Sequence, residues 1–171
     1  MAKYVIDIQG FSFDKSFIVK EISITSLKRH DILHFSVKPP FNKEMLTDEE
    51  QDQVMFFQHY HGMLDWNDGV FEYSEIYENI RETIRDGVIL YLKGREKVEI
   101  VQKITGKTAI DLDQLDCPQA EFLPKPKLSN VITCNYHSQL KSDDFTTVRC
   151  SLLQVLKFKE WLRNCGTDIL H

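Results

Sequence analysis

The sequence predicts an α/β domain on a five-stranded mixed sheet, three antiparallel strands followed by two parallel ones, with helices on its flanks. Three observations carry that prediction. Residues 3 to 37 hold three runs rich in β-branched and aromatic residues with short connections between them, as a meander requires. Residues 75 to 112 then alternate helical and strand-like patterns, and alternation of that kind gives parallel pairing. Last, Val88-Ile89-Leu90-Tyr91-Leu92 is apolar at every position, the mark of a strand covered on both faces.

The elements follow in order. Lys3 to Gln9 forms the first strand, with Gly10 as its expected end. Phe17 to Thr25 and Ile32 to Val37 form the second and third, the latter closed by Pro39-Pro40, which has no N–H to give a ladder. After a polar stretch at 43 to 53, Phe56 to Gly69 reads as a loop anchored by its aromatic residues. Ile76, Ile80 and Ile84 recur every fourth residue, so 75 to 86 is an amphipathic helix with Ser74 as N-cap and Gly87 as C-cap. Val88 to Leu92 is the fourth strand, Gly94 to Ile104 a helix stopped by Gly106, and Ala109 to Leu112 a short fifth strand. An irregular segment, Leu123-Pro124-Lys125-Pro126-Lys127, crosses to a long terminal helix over Thr146 to Arg163, capped near Asp143 or Asp144. Right-handed crossovers set the last two strands parallel to the first. Three antiparallel strands followed by helix, strand, helix, strand, helix is the order of the ribonuclease H-like fold.

At 171 residues, with 42% hydrophobic and 27% charged residues, the chain suits one folded domain spanning 1–171. A formal net charge of −5 argues against coating nucleic acid by bulk electrostatics, while permitting a local basic site. No stretch reads as a membrane span or a signal peptide, so the expected setting is the cytoplasm or nucleus, where four cysteines point to a metal before disulfides.

Cys134, His137 and Cys150 are spaced as Cys-x2-His, twelve residues, Cys. Zinc takes thiolate and imidazole in a tetrahedral shell, and Cys-x2-His lets one turn present two ligands. The competing reading makes the cysteines small buried hydrophobes. A fourth ligand has to come from elsewhere.

Several stretches resemble the Maelstrom domain, a relative of the DnaQ-type 3′–5′ exonucleases: Tyr4-Val5-Ile6-Asp7-Ile8, Lys20-Glu21-Ile22-Ser23-Ile24, His61-Gly62-Met63, Cys134-Asn135-Tyr136-His137 and Arg149-Cys150-Ser151-Leu152. The resemblance implies one structural zinc per chain on a Glu-Cys-His-Cys set, with Glu21 matching the glutamate; Cys117 is its rival, because a thiolate is a commoner structural ligand than a carboxylate. Cys165 reads as packing. It also implies work on small RNA or mobile-element control.

A two-metal nuclease needs about four converging carboxylates. Here Asp7 stands in place on the first strand, but its neighbour two residues on is Gln9, and the terminal helix offers Cys150, Val155 and Phe158. The expectation is therefore a degenerate nuclease that binds RNA or protein. The alternatives are a single-stranded RNA nuclease using Asp7, His61 or Asp65, with His59 beside them, and a pure protein adaptor. For RNA, Lys93, Arg95 and Lys97 at a strand-to-helix junction form the candidate phosphate site, and Lys125, Lys127, Lys157, Lys159 and Arg163 a possible extension.

Overall fold

The structure is a computed structural model and describes residues 1–84, 87–127, 134 and 150–165. Strands β1 (Ala2–Phe13), β2 (Ser16–Ser26) and β3 (Ile32–Ser36) form the antiparallel meander. Helices α1 (Asp48–His61) and α2 (Ile76–Thr83) precede β4 (Val88–Leu92), which lies parallel to β1. Helix α3 (Arg95–Thr105) leads to β5 (Ala109–Asp111), parallel to β4, and α4 (Ser151–Asn164) closes the described chain. The strand order is β3-β2-β1-β4-β5. The α/β class and the split into three antiparallel and two parallel strands are as the sequence predicts.

Successive side chains of a strand point to opposite faces, and here the two faces differ in chemistry. One carries Ile6, Ile8, Ile22, Ile24, Leu90 and Leu92 against Ile76, Ile80 and Ile84 and against Val98, Val101 and Ile104 of α3. The other packs Val5 and Tyr91 on Val155, Phe158 and Leu162 of α4, but between them it buries Asp7, Glu21, Ser23 and Thr25. Helix α4 therefore sits on a polar stripe and answers it with its own groups. Ser151 Oγ lies 2.8 Å from Ser23 Oγ, and the buried Lys159 donates to Thr25 Oγ1 at 3.1 Å and to the Arg29 carbonyl at 2.5 Å. Among the described residues no helix is long and apolar enough to cross a membrane.

Three expectations about elements are corrected. Gly10 does not end β1. The strand shifts register between Gln9 and Gly10 and continues to Phe13, and a Cβ at Gly10 would meet the Ile18 carbonyl oxygen at 2.0 Å, so the glycine marks a close backbone approach within the strand. Residues 56 to 61 are not loop but the second half of α1. Thr47 Oγ1 accepts from the Glu50 N–H and the Glu50 carboxylate accepts from the Thr47 N–H, a reciprocal cap that starts the helix, and Gly62 in the left-handed region (φ 57) stops it. Neither Ser74 nor Gly87 caps α2, which runs from Ile76 to Thr83 with Ile84 at its C-cap. A 3-10 turn at Tyr73–Glu75, held by reciprocal Glu72 and Glu75 contacts, leads into it. Thr146 to Arg149 and the expected caps Asp143 and Asp144 lie outside the described residues, and α4 is described from Ser151 with Cys150 at its N-cap.

Candidate metal centre

Strand β2 puts Glu21 on the α4 face, opposite Ser36 of β3. Residue 150 immediately precedes α4, and the helix docks on β1 and β2 so that this end falls over Glu21. The carboxylate of Glu21 and the thiols of Cys134 and Cys150 consequently gather in one buried group, with every ligand atom within 4.8 Å of the others. Cys150 Sγ lies 3.6 Å from Glu21 Oε1. His34, on the neighbouring strand β3, joins from the side: its Nε2 is 2.8 Å from Glu21 Oε1 and 3.9 Å from Cys134 Sγ.

Glu21 also has structural work. The first turn of a helix leaves backbone N–H groups without partners, and Cys150 supplies no side-chain cap. Glu21 Oε1 takes that part, accepting from the Ser151 N–H at 3.0 Å and from Ser151 Oγ at 2.9 Å. A carboxylate has about four acceptor sites, so capping α4 and binding a cation are compatible.

The electrostatics favour a positive ion among these groups. Burial works against a charge on His34, but its contacts with Cys134 and Glu21 outweigh that and bring its pKa up to about 9. The hydrogen bond with Cys134, burial and the charge of Glu21 all push the Cys150 thiol up. Protons are therefore favoured on both His34 and Cys150. A divalent ion bound here would supply that positive charge and drive the thiol proton off. The residues fit zinc: tetrahedral bonds of roughly 2.0 Å to oxygen and 2.3 Å to sulfur separate ligand atoms by roughly 3.5 to 3.8 Å, the scale of the contacts here.

Of the expected ligands, Glu21, Cys134 and Cys150 come together, and His137 lies outside the described residues. Cys117, the rival fourth ligand, is corrected: it is packed elsewhere beneath α4 with Leu112, Leu123 and Phe158, and burial pushes its pKa up to about 11. Cys165, half-buried, is the C-cap residue of α4.

The catalytic candidates do not converge. Asp7 is buried on β1, where it accepts from Lys97 Nζ at 2.7 Å and Gln9 Nε2 at 2.6 Å; burial raises its pKa and Lys97 opposes the rise. His61 ends α1 with its ring 5.7 Å from Phe56 and 5.6 Å from Phe57, and His59 stands edge-on to Tyr60 at 4.6 Å. Asp65 accepts from Gln58 Nε2 at 2.9 Å and the Asn67 N–H at 3.0 Å, shaping its own turn. Among the described residues the Glu21, Cys134 and Cys150 group is the one set of three or more such side chains close enough to share an ion.

At the expected phosphate site each cation already has a partner. Lys93 is buried and donates to Asp113 and, at 2.6 Å, to the Cys117 carbonyl; Arg95 pairs with Glu99 at 2.9 Å and Lys97 with Asp7. The Gly94 N–H at the start of α3 gives its hydrogen bond to Asp111 at 3.0 Å, so the protein's own carboxylate stands where an anion was expected. Lys157 and Lys159 of the second cluster also turn inward, to the Ala120 carbonyl and to β2, while Lys125, Lys127 and Arg163 are exposed.

His34 and Ser151 were not anticipated. His34 is one of six histidines, and only its cross-strand register, Ser23 opposite His34 and Glu21 opposite Ser36, reveals that it flanks Glu21. Compared with family models and with curated proteins, the chain matches none.

Proposed function

We propose that this chain is a catalytically degenerate ribonuclease H-like domain, similar to Maelstrom domains, that holds one structural zinc and works as a binding module for RNA or protein in small-RNA or mobile-element control. The observation that carries the metal is the buried Glu21, Cys134 and Cys150 group, which sets the two cysteines against a carboxylate of the central sheet. His34 lies against that group and orients Glu21 through its hydrogen bond, and His137 is the fourth ligand that the resemblance supplies. The ion's part is structural, because all three side chains are at least nine-tenths buried and a reacting water or substrate has no room at them. Against catalysis elsewhere stands the state of Asp7, whose two oxygens are taken by Lys97 and by Gln9, the neutral residue where a nuclease of this type carries its second carboxylate.

Elemental analysis of the purified chain tests the metal. The expected result is one zinc per chain, absent from Cys134→Ser and Cys150→Ser. His34→Gln is expected to keep the fold but lose about 10- to 100-fold in zinc affinity, the usual effect of removing a group that orients a metal ligand. A chain that stays metal-free after refolding with zinc overturns the reading.

A further inference from the structure

The geometry points to the outer face of α1 as a docking surface for a basic, apolar segment of another protein. Helix α1 has two distinct sides. Its inner side turns Gln51, Val54, Phe57, Gln58 and His61 toward the body, packing Val54 and Phe57 with Phe11, Phe13 and Trp66. Its outer side, which a surface helix ordinarily fills with polar residues, instead carries Met55, Phe56 and Tyr60, which are 52%, 51% and 61% exposed. Phe56 and Tyr60 stand at i and i+4 with their rings 4.9 Å apart, and Met55 flanks them. Neighbouring large apolar side chains held open to water in this way mark interaction sites, and methionine and tyrosine suit a surface that must adapt to a partner.

The charge around them selects the partner. Asp48, Glu49 and Asp52 continue the same stripe toward the start of α1 and are exposed. Between Lys43 and Asp68 the chain has seven carboxylates and a single lysine, a net −6, while the whole chain carries −5; the remainder of the molecule is therefore +1. The segment that holds α1 therefore accounts for the chain's net negative charge. RNA is excluded by repulsion of its phosphates, although its bases would stack on Phe56 and Tyr60. An anionic membrane and a second copy of the same face are excluded for the same reason. What fits is a protein segment with Lys or Arg set beside aliphatic or aromatic anchors, laid along the helix. The proposal narrows the binding-module reading to a protein partner and is independent of the zinc, so loss of the metal with an intact helix leaves it standing.

Selection of displayed peptides of about 16 residues on the full chain tests it. Enriched sequences are expected to be basic, with apolar residues at i and i+4, and to shift the α1 amides in NMR spectra. Their affinity is expected to fall steeply with added salt and by about 10-fold or more in Phe56→Ala or Tyr60→Ala, substitutions at exposed positions that leave the thermal midpoint unchanged. Enrichment of nothing, or of neutral or acidic peptides, overturns the proposal. So does equal binding to the Phe56→Ala/Tyr60→Ala double variant, or a poly-uridine strand that binds this face.

Discussion

Lys20 lies on β2 next to Glu21 and is fully buried, its ammonium held by the main-chain carbonyls of Trp66 (2.7 Å) and Asp68. A lone cation in a sheet is costly unless its donors are used, and here they fasten the 66–68 segment to the sheet. Burial lowers its pKa to about 8, against the opposing pull of Asp68 and Asp65, from an ordinary value of 10.5. Between those pH values the folded protein has lost a proton that the unfolded chain still binds. Stability contributed by this group therefore rises as pH climbs from about 8 to 10.5, and its desolvation cost is fully present below 8. Denaturant melts across that range are expected to show the rise in wild type and not in Lys20→Met. That variant is expected to be weaker by about 2 kcal/mol at neutral pH, since it strands two carbonyls. The same strand shows why the metal residues were only partly legible. A thiol and a histidine announce metal chemistry by type, so Cys134 and Cys150 stand out from spacing alone. Glu21 is one carboxylate among 26 acidic residues, and His34 acquires meaning only from its place beside β2.

Elements were legible where one physical signal dominated. The fourth-residue isoleucines of α2, the apolar run of β4 and the Gly106 stop of α3 each have one reading, and each stands within a residue or a few of its expected bounds. Helix α1 was missed as a whole because its apolar residues lie on both sides, which erases the amphipathic period, although Thr47 and Glu50 spell a capping box. Gly10 was misread because a glycine that ends a strand and one that lets two backbones close on each other look alike in sequence. The two are separable by experiment. Gly10→Ala is expected to cost about 2 kcal/mol or more in denaturant titration, because the added methyl meets the Ile18 carbonyl rather than a yielding side chain; a cost within about 0.5 kcal/mol would place the glycine in an ordinary strand end.

At the scale of the whole molecule, one face of the sheet is an apolar sandwich, while the other carries a polar seam whose Glu21, Ser23 and Thr25 are met by groups of α4. A metal at that seam stabilises the native state by mass action: at a free concentration about 1000 times its Kd, by about 4 kcal/mol. Chelation is expected to lower the thermal midpoint of the wild type and leave that of Cys134→Ser unmoved, and equal midpoints with and without chelator would remove the ion from the fold's energetics. The strand pattern foretold the sheet, but the charge asymmetry around α1 could be seen only once that helix had a face. Glu21 and Cys150 are 129 residues apart. On the ribosome, every strand of the sheet emerges before the last of these donors exists, so in the zinc-bound form proposed above the cation would join the fold late, and a chain starved of it would have its sheet built and its closing helix less well secured.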